Sequence, residues 1–466
     1  MMRTALSLLC SLAFGAQVLM FTGCGSSHVT TANGPNSGGG GTGGGTGGGG
    51  GTGGGGGTGG GGGTGGSGGT GGSGGTGGSG GGTGGTGGGT GGSGGGTGGS
   101  GGGTTSAPSP EYLYAVVDQQ QGSVYAYQID PSSGALSVVT GSPFQVNVGS
   151  QSYVCKSQCG ASLVADPLGR FLYYEYYYAS AGLTSLNLNA QTGAVSNAAN
   201  YPQSTYELSA EPQGRYVYWN SGDGMQTAIG GLAVSSTGQL SPTPGQPYPY
   251  GYQESYGSPA VTSNYVFALE YRSSSSSNGA LYEWTIDPAT GTLTQTANTA
   301  PLQDAANPVV TPNGKFIYVQ QIYFNNGVGE YETVPIQVAS NGGFVELNQL
   351  IQQTTSNGPN LTWMSPNGNF LYEVVNGQLW DYQINQTTGA LRLVQQYTNI
   401  NTDLIAFDPG MKYVYLSPAN ANNVAGTTVT GYSVDPTTGK LTPLANSTVD
   451  LKAIPLGLAV VAAPAS

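Results

Sequence analysis

Apolar and polar residues alternating at period two, seven copies of an aromatic tripeptide and two kinds of recurrent tight turn predict an all-β chain, residues 107–466, wound into a seven-bladed β-propeller of four-stranded blades. No stretch beyond Glu111 keeps a helical period, and Pro, Gly and Asn interrupt the apolar runs at short intervals.

Each element of a blade is read from its own signal. The tripeptide marks a central strand: Tyr112-Leu113-Tyr114, Phe171-Leu172-Tyr173, Tyr216-Val217-Tyr218, Tyr265-Val266-Phe267, Phe316-Ile317-Tyr318, Phe370-Leu371-Tyr372 and Tyr413-Val414-Tyr415, spaced by 59, 45, 49, 51, 54 and 43 residues. A first turn precedes it, as in Asp166-Pro167-Leu168-Gly169-Arg170, Glu211-Pro212-Gln213-Gly214-Arg215, Thr311-Pro312-Asn313-Gly314-Lys315 and Ser365-Pro366-Asn367-Gly368-Asn369. An acceptor side chain, then Pro, then Gly in fourth place suits a type I turn. A second turn recurs as Asp130-Pro131-Ser132-Ser133-Gly134, Asp287-Pro288-Ala289-Thr290-Gly291 and Asp435-Pro436-Thr437-Thr438-Gly439, with shorter traces at Gln191-Thr192-Gly193 and Thr387-Thr388-Gly389. Its Gly supplies the left-handed residue that closes a hairpin. Two such turns per repeat give four strands per repeat.

The count closes the ring. Repeats two to seven begin with a further apolar strand, such as Ser162-Leu163-Val164-Ala165 or Leu404-Ile405-Ala406-Phe407, whereas the first begins at Tyr112 without one. One strand, Leu456 to Val461, is left over after the seventh copy. It is expected beside Tyr112 to Val117, completing blade 1 and removing the free edges.

The order apolar strand, Asp-Pro-x-Gly-Arg, Phe-Leu-Tyr, apolar strand, Asp-Pro-x-Thr-Gly-x-Leu and then Gly141-Ser142-Pro143-Phe144 resembles the bacterial lactonase-like seven-bladed β-propellers, which include 6-phosphogluconolactonases and YVTN-repeat surface proteins. The resemblance covers residues 111–466 and rests on turns and strands, so it implies architecture more firmly than chemistry. It also implies a sugar lactonase as the alternative activity, with His and Arg acting together.

The remaining sequence gives an address. Residues 1–23 read as an export signal: a short basic start at Arg3, an apolar run and small residues at its end. Phe21-Thr22-Gly23-Cys24 resembles the lipobox of bacterial lipoproteins, which implies acylation of Cys24, and Gly25 after it favours the outer membrane by the same resemblance. Residues 24–106 form the lipidated Cys and a Gly/Ser/Thr-rich tether, with 50 Gly and 16 Thr or Ser between Gly38 and Gly103. A segment with nothing apolar to bury is expected to be disordered, and 82 residues of Gly-rich coil span roughly 45–55 Å.

Composition removes several function classes. A net charge of −12 with only 10 Lys and Arg argues against nucleic acid, and leaves the lipid anchor as the sole membrane contact. The single His, His28, precedes the propeller, so a His-based catalytic or metal site is excluded there. No cofactor and no metal are expected. The long connections lie opposite the two recurrent turns: 141–160, 174–182, 219–228, 242–258, 270–279, 320–330 and 417–426. In the first of them Cys155 and Cys159 suit a disulfide in an exported protein. Tyr248, Tyr250, Tyr252 and Tyr256 crowd one connection, where they either stack on a ligand or cover their own blade. Arg272, Glu270 and Glu175 complete the binding candidates, and Asp118, Asp223, Glu254 and Asp304 extend a possible acid-only site. The expected function is a monomeric, non-catalytic recognition module for a glycan or for an envelope or extracellular protein, with a lactonase and a purely structural surface protein as alternatives.

Overall fold

The computed structural model describes residues 109–117, 122–148, 160–177, 182–203, 205–222, 227–251, 257–270, 279–302, 305–325, 328–340, 342–347, 351–355, 361–418 and 426–463. Among these there is no helix, and every sheet is antiparallel. Seven sheets form seven blades, each running from an inner strand outward. Blade 2 shows the plan: Gly160–Ala165, Phe171–Tyr177, Gly182–Leu188 and Val195–Tyr201 follow one another in chain order and in space.

Blade 1 is assembled from both ends of the described chain. Pro455–Ala462 is its inner strand and pairs with Glu111–Val117, placing Glu111 opposite Ala462 and Tyr114 opposite Ala459. Glu111–Val117 pairs on its other side with Ser123–Ile129. The inner strands of neighbouring blades touch around the ring from blade 7 through blade 1 to blade 6. Blades 6 and 7 share one apolar cluster, in which Trp363 and Tyr372 meet Val414 and Leu416. The leftover strand thus closes the ring as the residue count predicts.

Both turns form as their residues require. In the first, the Gly169 N–H donates to Asp166 O at 2.8 Å and the Gly214 N–H to Glu211 O at 2.7 Å. In the second, the Gly134 N–H reaches back to Asp130 O at 2.8 Å, and Gly134 has φ of +70°. Asp130 Oδ1 accepts the N–H groups of Ser132 and Ser133. Asn189 and Asn385 do the same work at the traces seen in blades 2 and 6.

The outer strand is interrupted in three blades. Leu136–Val138 and Phe144–Gln145 both pair with Ser123–Ile129, and Leu240–Pro242 and Tyr248–Gly251 both pair with Thr227–Val234. Blade 5 repeats this with Phe344–Glu346 and Ile351–Thr355 on Val328–Val338. The segment 320–330, expected as a connection, instead continues a long hairpin in which Phe316–Asn325 pairs with Val328–Val338 as far as Asn325 opposite Val328.

The aromatic tripeptide joins each blade to the next. Its last Tyr sends the hydroxyl across the seam to the carbonyl of the neighbour's second-turn Gly: Tyr114 to Gly193, Tyr218 to Gly291, Tyr318 to Gly389, Tyr372 to Gly439 and Tyr415 to Gly134, at 2.7–3.1 Å. The last of these links blade 7 to blade 1. At the seam of blades 2 and 3 Ser185 Oγ takes the Gly238 carbonyl at 2.5 Å. At the seam of blades 4 and 5 the tripeptide ends in Phe267, whose ring lies 6.1 Å from that of Phe344.

In six of the seven tripeptides the first aromatic packs against the same Gly. A Cβ added at Gly134 would stand 2.8 Å from the Tyr413 ring and 2.6 Å from Leu444. Gly is therefore required twice, for its φ and for the absent side chain. Above that ring sits a cation from the first turn: Arg170 over Phe171, Arg215 over Tyr216, Lys315 over Phe316 and Lys412 over Tyr413, at 5.0–5.4 Å.

Tyr415→Phe is expected to lower unfolding free energy by about 1 kcal/mol, the scale of a buried hydrogen bond to a neutral acceptor. Gly134→Ala meets both the ring and the positive φ and is expected to cost about 2 kcal/mol or more. Urea unfolding of the two variants at neutral pH measures the order; equal losses would show that the Gly site is not tightly packed.

Candidate functional site

The two turn types lie on one face of the disc, and the connections between second and third strands and between blades lie on the other. The cations divide unevenly between these faces. Arg170 makes a two-pronged pair with Asp166 at 2.8 and 2.9 Å and reaches Gly214 O in the next blade. Arg215 pairs with Glu211 and donates to Pro288 O at 2.9 Å. Lys315 reaches Gln386 O and Thr387 O, and Lys412 reaches Pro131 O. All four therefore fasten blades together on the turn face. Lys440 follows the second turn of blade 7, and Arg392 bonds Gln383 on an outer strand. On the opposite face, among the described residues, the one cation is Lys452, paired with Asp450 at 2.5 Å and 79% exposed in its side chain.

The face of long connections carries a belt of buried polar side chains from the second strands. Glu175, fully buried, accepts from Ser162 Oγ at 2.5 Å and from the Leu208 N–H of blade 3 at 3.3 Å. Asn220 donates to Gly257 O on blade 4. Gln320 accepts from Asn307 Nδ2 at 2.9 Å and donates to Glu373 of blade 6 at 2.7 Å, where Thr333 also donates at 2.8 Å. Each of these side chains spans a seam, so the belt stitches the second face as the tyrosines stitch the first.

The sequence candidates fall into two groups. Tyr248 is buried in the blade 3 cluster, where its hydroxyl meets Pro244 O at 2.7 Å and Thr243 Oγ1 at 3.0 Å. Tyr250 is half-buried, its ring edge-on to Trp284 at 5.0 Å and its hydroxyl 3.3 Å from Asn220 Oδ1. These two rings fill the seam between blades 3 and 4. Glu270 is 1% exposed and accepts from the Tyr282 hydroxyl at 2.9 Å. Glu175 is enclosed as described. Cys24, Cys155, Cys159, Tyr252, Tyr256 and Arg272 lie outside the described residues, as do Asp118, Asp223, Glu254 and Asp304.

Other acids become visible only in the fold. Asp403 stands near the start of the inner strand Thr402–Phe407, half-buried, and burial pushes its carboxyl up to about 6. Glu207 and Asn307 occupy matching places on the inner strands of blades 3 and 5, both with left-handed φ, at 58° and 57°. Non-Gly residues in that region are uncommon and gather at functional sites. These three residues mark the end of the inner strands that faces the long connections. Glu373 is also raised, by burial that outweighs its two donors. Asp381 is fully enclosed between blades 6 and 7, neither carboxyl oxygen has a hydrogen-bond partner, and burial drives it to about 8. Aligning the seven copies could have exposed the belt: the second residue after the tripeptide is Val116, Glu175, Asn220, Leu269, Gln320, Val374 or Ser417, polar in four and apolar in three. Among the described residues no three His, Cys, Asp or Glu side chains gather closely enough to hold a metal.

With this geometry in view, the chain has the fold of the lactonase-like seven-bladed propellers. A periplasmic gluconolactonase of Pseudomonas aeruginosa aligns with 76% of this chain and all of its own, at TM-score 0.54 and 16% identity. A candidate 6-phosphogluconolactonase of Bacteroides uniformis aligns over the same shares at TM-score 0.55 and 16% identity. A functionally unknown protein of Desulfotomaculum acetoxidans aligns with 75% of this chain and 99% of its own, at TM-score 0.54 and 13% identity. No protein-family profile and no curated protein sequence matches the chain.

Asp381→Asn is expected to stabilise the protein at alkaline pH. The folded state holds a proton on Asp381 that the unfolded chain releases near 3.8, so this contribution is complete below that value and is lost as pH rises through about 8. The variant should gain on the order of 2 kcal/mol at about pH 8 and little at about pH 4, read from urea unfolding. A gain that is the same at both ends would show that Asp381 does not titrate.

Proposed function

We propose that this is an exported propeller, anchored through acylated Cys24, that works as a non-catalytic recognition module for a glycan or for an envelope or extracellular protein. The observation that carries this reading is where the cations are. A lactone hydrolase must stabilise an oxyanion and activate water, and a phosphorylated sugar acid calls for a cationic clamp as well. Here four of the nine basic residues after position 107 are committed to the turn-face seams, and no His follows His28. In this reading the Gly-rich tether raises the local concentration of such a head near the cell surface, so that modest affinity suffices. In this reading the head is a monomer, and its outer-membrane anchor follows from the lipobox resemblance.

The second reading is a sugar lactonase. It is favoured by the shared fold with a periplasmic gluconolactonase and by Asp403, whose carboxyl near 6 is suited to proton transfer at neutral pH. Arg272 would then be the clamp.

Hydrolysis of 6-phosphogluconolactone and simple sugar lactones, followed against the spontaneous rate, separates the two. The recognition reading expects no excess over background, together with co-sedimentation on isolated envelope polymers that weakens when residues 252–256, beyond the strand Tyr248–Gly251, are shortened. Turnover above background that disappears in Arg272→Ala or Asp403→Asn would establish the lactonase instead.

A further inference from the structure

We propose that Glu111 and Asp408 form a proton-sharing clasp at the seam of blades 7 and 1, holding the ring shut when one proton lies between the two carboxyls and loosening it when that proton is lost. The departure from the other blades is local. In blades 2 and 3 the acid that opens the first turn, Asp166 or Glu211, is paired with the Arg four residues on. In blade 7 that place is taken by Lys412, whose ammonium is turned to Pro131 O and the Tyr413 ring. Asp408 is 2% exposed and accepts the N–H groups of Gly410, Lys412 and Tyr413 at 2.8, 2.9 and 3.3 Å. The side chain of Glu111, the first residue of the strand that the C-terminal strand clamps into the ring, lies within hydrogen-bonding reach of it.

Two carboxyls in contact cannot both be charged without repulsion, so one keeps its proton and donates a hydrogen bond to the other. Burial, followed by the charge of Asp408, raises Glu111 from 4.5 to about 7. Lys412 opposes that rise, and the Tyr415 phenol lies close enough to sense both acids. On the strands on either side the register places Ile129 and Ala462, neither of which titrates, directly opposite Glu111. A folded value above the unfolded one means that the clasp's contribution is complete below 4.5 and is lost as pH rises through about 7.

Amide hydrogen exchange on the whole chain reads the clasp directly, with Glu111–Val117 compared against Phe370–Val375 of blade 6 and intrinsic base catalysis removed. Opening of the first strand is expected to rise about tenfold between about pH 5 and about pH 7 relative to the second, a value reduced for the partial exposure of Glu111. Glu111→Gln retains a donor toward Asp408 without titrating and should abolish the difference. Equal pH dependence of the two strands in the unmodified protein, or a difference that persists in Glu111→Gln, would overturn the proposal. Should that variant fail to fold, the carboxyl 13C resonance of Glu111 in the unmodified chain decides the matter: a midpoint near 7 supports the clasp, and one near 4.5 overturns it.

Discussion

The architecture rests on one contact made again and again across the blade seams: an aromatic ring laid on a left-handed glycine, with a tyrosine hydroxyl two residues later on that glycine's carbonyl. The contact ties the second strand of one blade to the far hairpin of the next, so the position of each blade is set by its predecessor. It also accounts for the sequence signature. The tripeptide needs aromatic residues at its ends to span the seam, the turn needs Gly to admit the ring, and in four blades the first turn adds a cation that covers the ring from above. A chain with so few charged residues spends four of its cations in this way.

The two faces consequently obey different rules. The turn face is built from repeated, mutually dependent parts and changes little from blade to blade. On the other face the seams are crossed by Glu175, Asn220 and Gln320 where the second strand is polar, and by apolar side chains where it carries Val116, Leu269 or Val374. That face has no fixed formula, which leaves its inner-strand ends free to carry Glu207, Asn307 and Asp403. Interior polar groups of this kind stabilise only when their partners are present, and Asp381, which has none, shows the opposite case.

Much of this was legible in the residues. Pro and Gly at fixed offsets marked the turns, the aromatic tripeptide counted the blades, and the missing first strand beside Tyr112 foretold the role of Pro455–Ala462. Those signals are local, each written within a few consecutive positions. The belt was not legible because Gln320 and Glu373 lie 53 residues apart and meet only once the register of two blades is set. The same limit explains the tyrosines. Nothing in the local sequence around Tyr248 says that Leu240–Pro242 and Tyr248–Gly251 share one partner strand, a pairing that turns the ring of Tyr248 inward. In the stretch 320–330 the reverse holds: polar residues mimic a loop where a long hairpin simply runs on.

The split blade has a mechanical consequence. Glu111–Val117 is flanked by hydrogen-bonded strands on both sides, and its first residue lies beside the turn face, where Ala463 N–H still donates to Pro110 O. A pull on residue 109 along that strand loads two ladders in shear at once, so they must yield together instead of one bond at a time. The place where the two ends of the described chain are joined is thus also built to bear tension.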